Sequence, residues 1–326
     1  MNYPFGHVLV TGGAGFIGSQ LLLRLLPLSQ RMTVIDDCST SRPENVPVSE
    51  RLTFIQASYV DDRLLERVLP DVTHIYHIAC KNLVLSAQHM DDDFHVNLYG
   101  GYLLLGKAKE LCGRLQRFVY TSTASIYGNA AVLPTPEGCY ETTTPYAASK
   151  FSMEHYCQVY HRMYRMPIAV LRLSNVYGPG QLTTNPYCGV VAKFFESADR
   201  EAAFNIFGDG TQTRDYTYIG DAVEALLSAG MHPDAIGRLF NVGTGVETSV
   251  NRLAEMVAET CGVAHPEFAY QPKRTVDTIY RRCLDATLLR RTLGWEPQVG
   301  LTEGLRLTNR WRKGGSVPHE NFSRND

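Results

Sequence analysis

The stretch at residues 8–18, V-L-V-T-G-G-A-G-F-I-G, constrains the chain more than any other. Three apolar residues end a buried strand, a glycine-rich turn follows, and the apolar run 16–26 reads as a helix. Gly12, Gly15 and Gly18 fall three apart, and Gly13, Gly15 and Gly18 also fit G-x-G-x-x-G. A turn this tight needs positions free of a Cβ. It brings backbone N–H groups and a helix N-terminus up to a pyrophosphate, whose charge the helix dipole favours. Loops collect glycine for many other reasons. Here, however, a second short apolar strand at 32–36 ends in Asp36 and Asp37, about 20 residues past the glycines. A carboxylate there accepts from the ribose hydroxyls of an adenosine. Strand, turn, helix and acid together point to a dinucleotide site rather than a purely structural turn.

The rest of the first half repeats the alternation. Strands are expected at 52–57, 72–78, 117–122 and 168–173, and helices at 61–69, 95–112 and 146–163. Strands separated by helices imply an α/β fold: a Rossmann-type, doubly wound parallel sheet with ligands at the carboxyl ends of its strands. Past Leu173 the pattern loosens into loops rich in Gly, Pro, Thr and Asn. A helix at 190–197, a strand at 205–207, a helix at 221–229, a strand at 239–242 and helices at 251–260 and 286–293 follow. The expected division is a dinucleotide-binding domain at 1–174, which regains a strand and a helix near 205–245. A smaller, mixed α/β C-terminal substrate lobe spans 175–312, and a mobile polar tail 313–326.

Bulk properties remove several function classes. A net charge of −2 gives no broad electrostatic case for nucleic acid or an anionic membrane. The longest apolar runs break well short of the ~20 residues a membrane span needs. The N-terminal M-N-Y-P-F-G-H lacks a signal-peptide design. Eight cysteines are scattered with no C-x-x-C pair. Neither a metal site nor a disulfide framework is expected, and a reducing cytoplasm is.

Two further patterns carry chemistry. Tyr146 and Lys150, in Y-A-A-S-K, lie about one turn apart on one face of a helix. A nearby ammonium favours the phenolate, which makes Tyr146 a usable general base towards a sugar hydroxyl. The stretch 120–128, Y-T-S-T-A-S-I-Y-G, follows a strand and offers a hydroxyl to a substrate oxygen and to Tyr146.

With these motifs the chain resembles the extended short-chain dehydrogenase/reductases, in particular the NAD-dependent nucleotide-sugar epimerases and dehydratases. The resemblance covers residues 8–311. It also rests on H-I-A at 77–79, N-L-Y-G at 97–100, L-R-L-S-N-V-Y-G-P at 171–179, G-D-G-T-Q-T-R-D-Y at 208–216, F-N-V-G-T-G at 240–245 and L-G-W-E-P at 293–297. It implies that Thr123, Tyr146 and Lys150 form the catalytic triad. Gly12, Gly15, Phe16, Ile17 and Gly18 would hold the pyrophosphate, and Asp36, Asp37 and Ser41 the adenosine side. Ala79 would contact the cofactor through its backbone, and Lys150 would hold the nicotinamide ribose. Asn97 matches a structural asparagine. Asn175 and Arg214 would bind the nucleotide diphosphate, Tyr216 would lie near its ribose, and Arg274 and Asp277 would contact the far diphosphate and the uridine ribose. Asp36 favours NAD, since a carboxylate repels a 2′-phosphate, although Arg42 lies near.

Three departures stand out. Ser58, beside Tyr59, takes the place of the usual Asp that reads the adenine edge. Cys80-Lys81-Asn82 replaces a run of small residues, leaving Lys81 to face a substrate anion, or solvent. The segment 277–285 is one residue longer than common and holds Arg281 and Arg282, which either contact the sugar nucleotide or cover a helix end. The reaction turns on the two positions after Thr123. The family's dehydratases place an Asp and a Glu there for acid–base elimination, and its uronate decarboxylases keep the Glu. Ala124 and Ser125 do neither. The expected activity is a 4-epimerase of a UDP-sugar, of the glucose/galactose or the glucuronate/galacturonate type. Hydride would leave C4, the 4-keto sugar would turn over, and hydride would return to its other face. The alternatives are a 4-ketoreductase or a UDP-glucuronate decarboxylase, and more distantly a non-catalytic dinucleotide sensor. The helices at 95–112 and 146–163 are expected to build a homodimer interface.

Overall fold

The computed structural model describes residues 3–315 except 184, 186, 187 and 276, so the expected tail from 316 onward lies outside the described residues. Seven strands make the main sheet: β1 (Phe5–Thr11), β2 (Ser29–Asp36), β3 (Leu52–Gln56), β4 (His74–His77), β5 (Arg117–Thr123), β6 (Ile168–Leu173) and β7 (Leu239–Val242). They run in the order β7-β6-β5-β4-β1-β2-β3, all parallel. Strand order reverses between β1 and β4, and ligands of such sheets gather at that switch point.

The apolar runs read from the sequence exist because the sheet is covered on both faces. Val8 and Val10 point to one face, towards Leu21 and Leu22 of the first helix and Leu226 of the helix Ile219–Met231. Leu9 points to the other, towards Leu65, Leu104 and Met153. Among the described residues the C-terminal part, where the substrate lobe is expected, has no shared sheet. It is built from three two-stranded pairs: Asn175–Tyr177 with Tyr216–Tyr218, Thr213–Arg214 with Thr248–Ser249, and Phe204–Phe207 with Phe268–Gln271. A buried polar network joins the two parts. Arg172 on β6 makes a two-pronged ion pair with Glu154 (2.9 and 2.7 Å) and donates to the Tyr127 hydroxyl. Tyr127 donates to Asn241, whose amide donates to the carbonyls of Thr135 and Asp285.

Several expected boundaries shift. The strand at 72–78 is only His74–His77, because the Ile78 and Ala79 amides both turn onto the Thr11 carbonyl and end the ladder. The single helix at 95–112 is instead a short helix Met90–Asp93, a π-helical segment Phe94–Gly100 and the α-helix Gly101–Leu111. The widened turn places the Asn97 side chain against the backbone of Lys81 and on Asp93. The helix Leu301–Arg312 was not expected. Among the described residues no helix is long and apolar enough to cross a membrane.

Candidate active site

A cleft of about 560 Å³ opens over the carboxyl ends of β1, β2 and β4. It is lined by every residue assigned to the cofactor except Tyr146 and Lys150: Gly12, Gly15, Phe16, Ile17, Gly18, Asp36, Asp37, Ser41, Ser58, Tyr59 and Ala79. Gly12 has φ +76°, and a Cβ there would meet the Ala79 nitrogen at 2.5 Å. A Cβ on Gly18 would fall 2.1 Å from the Gly12 carbonyl oxygen. No side chain caps the helix Phe16–Leu25, so its first amides remain available to an anion. The Asp36 carboxylate accepts from the Ala14 amide, the Cys38 amide and the Ser41 hydroxyl, each at 2.9 Å. It thereby ties the glycine turn to the next loop and keeps further lone pairs for a ligand. Lys81 faces this cleft and not the sugar side: its ammonium donates to the Ser39 hydroxyl and lies 3.9 Å from Asp37. The Tyr59 hydroxyl donates to the Val96 carbonyl, so its contact with the cleft is through the rest of the residue. Ser58 caps its own turn by accepting from the Val60 amide at 3.1 Å. Bare turn, free amides and strand-end acid fit a dinucleotide.

The helix Pro145–Tyr164 starts on a capping Thr144 and carries both Tyr146 and Lys150. Lys150 is buried; its ammonium donates to the Thr121 carbonyl at 2.7 Å and lies over the Tyr120 ring. The Tyr146 hydroxyl lies beside the side chains of Thr123 and Cys80. The net shift of the phenol is opposite to the lowering expected from Lys150: burial pushes Tyr146 well above the usual tyrosine range, Cys80 pushes it further, and Thr123 opposes them. The physical reason is desolvation, with the ammonium turned onto Thr121; burial lowers Lys150 as well.

Sequence reasoning missed two neighbours of the candidate site. Cys80 stands among the departures with no role assigned, and it lies beside Tyr146. Asp93 is buried and accepts from Ser86, Asn97 and Ser149, so it fixes the Lys81–Asn82 loop against the Tyr146 helix. Its setting in D-D-D at 91–93 reads as a solvated acidic run, and no spacing rule singles out the third residue.

A second cleft, about 850 Å³, adjoins the first through Asn82, Cys188 and Gly189. Asn175, Arg214, Tyr216, Arg274 and Asp277 line it, and so does Arg282. Arg274 and Asp277 grip each other at 2.8 and 2.7 Å, where separate ligand contacts were expected; three residues apart at the cleft rim, they satisfy one another. The Arg214 guanidinium donates to the Thr213 carbonyl, and burial lowers its pKa. The Tyr216 hydroxyl is buried without a partner among the described residues. Arg281 turns outward to an ion pair with Glu247, and its neighbour Arg282 turns inward.

The site thus combines a phosphate-ready turn, Tyr146 with buried Lys150 on one helix, and an arginine-lined annex. The chain matches the NAD dependent epimerase/dehydratase family across residues 8–243, and it belongs to that family. It is 40% identical over 316 residues to UDP-glucose 4-epimerase of Mycolicibacterium smegmatis, a match spanning 93% of this chain and 97% of that one. The crystal structure of UDP-glucose 4-epimerase with UDP-glucose from Thermotoga maritima superposes with a TM-score of 0.88 at 36% identity, over 94% of this chain and 99% of that one. UDP-glucose 4-epimerase of Thermus thermophilus in complex with NAD gives 0.85 at 34% identity, over 95% and 100%. The cofactor of the family is NAD.

Proposed function

We propose that the protein is an NAD-dependent 4-epimerase of a UDP-sugar. The observation that carries this reading is the Tyr146 hydroxyl beside Thr123, which is followed directly by Ala124 and Ser125, residues that cannot supply an elimination acid and base. NAD would be held by the glycine turn, Asp36 and Lys150, and when bound it supplies the hydride acceptor and donor together with a positive ring beside the phenol. Tyr146 takes the proton from the sugar 4-hydroxyl and later returns it. Thr123 orients that oxygen, and Arg214 with Asn175 steadies the diphosphate while the ring turns over. Buried Lys150 fixes the Thr121 end of β5 and with it the approach to Tyr146.

The test is incubation of the purified protein with UDP-hexoses and UDP-hexuronates, read by proton NMR. A 4-epimer formed without net consumption of NAD is expected. Release of CO₂ or steady oxidation of NADH would replace the reading with a decarboxylase or a ketoreductase. The reading extends to a homodimer in a reducing cytoplasm. Tyr99, Tyr102, Tyr156, Val159, Met163 and Tyr164 are exposed along two adjacent helices, a seam suited to a second copy. Eight free cysteines suit that compartment. Light scattering at micromolar concentration checks the dimer, and a monomer would remove it.

A further inference from the structure

The arginines facing the substrate cleft differ in how they are balanced. Arg274 has Asp277 and Arg200 has Glu196. Among the described residues neither Arg214 nor Arg282 has an ion pair, and the buried Nε of Arg282 has no hydrogen-bond partner at all. A guanidinium left in this state is costly, because its desolvated donors go unanswered. Burial, and the neighbouring Arg214, accordingly pull Arg282 down to about 9 from the usual arginine value. The wall that presents Arg282 is fixed on both sides. The Tyr280 carbonyl accepts from the Thr213 amide, the Cys283 carbonyl from the Thr135 amide, and the Leu284 amide donates to Asp215. Arg282 is therefore held inward by its backbone.

Its position along the cleft narrows what it meets. The segment that carries it runs between two parts of the site: the Tyr280 carbonyl accepts from the Thr213 amide, next to Arg214, and Thr278 bonds to Asn129 and to Thr143, three residues before Tyr146. Arg282 thus lies between the group assigned to the diphosphate and the group assigned to the sugar 4-hydroxyl. The sugar ring occupies that interval under the epimerase reading. A neutral hexose offers hydroxyls there, which a Gln, Asn or Tyr would answer without burying a charge. A carboxylate one carbon beyond C5 offers two oxygens in a plane that match the guanidinium fork.

We infer that Arg282 receives the carboxylate of a nucleotide-linked hexuronic acid, so that the substrate class is UDP-hexuronate and not UDP-hexose. This rests on the UDP-sugar reading of the same cleft. The test compares wild type, Arg282→Leu and Arg282→Lys on UDP-glucuronate and UDP-glucose, with UDP affinity measured by calorimetry and folding by thermal melt. Wild type should prefer UDP-glucuronate in kcat/KM by about tenfold or more, and Arg282→Leu should erase that preference. Arg282→Lys should recover part of it, with UDP affinity moved by less than about threefold in both variants. A wild type preferring UDP-glucose overturns the inference and leaves the epimerase reading standing. Loss of UDP affinity in a folded variant overturns it too, by returning Arg282 to the diphosphate. If Arg282→Leu does not fold, the wild-type preference and the Lys variant decide. CO₂ from UDP-glucuronate, lost in the Arg282 variants, would uphold the carboxylate contact while sinking the epimerase reading.

Discussion

The two clefts are built by opposite means. The cofactor cleft is made of backbone: a turn that excludes a Cβ at Gly12 and Gly18, the amides of an uncapped helix, and one strand-end acid. The residues expected to touch the cofactor come from consecutive strand–helix units, and described residues from Gly180 to Gly189 close the other side. The substrate cleft is made of side chains from 175, 214, 274 and 282, brought together by strand pairs only two to four residues long. The first geometry is dictated locally and tolerates almost no change. The second is a set of long, charged side chains on short supports, where one substitution alters what is bound without altering the fold.

Four measurements would break or sharpen that contrast. The largest effect is expected from Tyr146→Phe, which should lower turnover by roughly 10²–10⁴-fold. NAD should still copurify, because the backbone turn holds it; loss of bound NAD would show that the clefts are not separable. Next comes Glu154→Gln, which strands the buried Arg172 guanidinium. A loss of about 3–5 kcal/mol in urea unfolding is expected. Hydrogen exchange should rise in both parts, since Tyr127 and Asn241 link Arg172 to the Asp285 carbonyl in the C-terminal part. Third, Arg214→Met removes a charged contact worth about 1.5–3 kcal/mol, so UDP affinity should fall by about 10- to 100-fold with NAD content unchanged.

Taken per side chain, the smallest effect concerns acid. Burial depresses His7 and His74 to about 4 and His77 to about 3, and all three belong to the main sheet. Their folded pKa values lie below the unfolded value near 6.5. The stability they contribute is therefore present above about pH 6.5 and is lost as pH falls towards the folded values. At pH 5 the loss is on the order of 2 kcal/mol for each buried ring. Exchange protection should fail first in the cofactor half; earlier failure of the substrate lobe would reverse the assignment.

The same contrast explains what the sequence disclosed. The glycine turn, the acid at Asp36 and the Tyr146–Lys150 pair are contiguous or one helical turn apart, so local rules find them. The doubly wound sheet was legible for the same reason, strand by strand. The split of the expected helix at 95–112 was not, because the π-helical turn around Asn97 answers a bond to Lys81 formed only in the folded chain. Asp93 and Cys80 escaped likewise, since their partners come from other helices and loops. The roles of Arg281 and Arg282 hung on which of two neighbours points inward. Glu247, 34 residues away, takes the outer one.

Asp215 lies between Arg214 and Tyr216, and its buried carboxylate accepts from Thr244, Gly245 and Leu284. The segment that carries Arg282 is thus bolted to the segment of Arg214 and Tyr216, which is proposed to grip the nucleotide. Chimeras that graft the 278–285 stretch from a cousin of different taste would misplace both walls unless the donor matches the acceptor at this carboxylate. Divergence in sugar preference and in nucleotide preference should accordingly travel as one trait along the lineage.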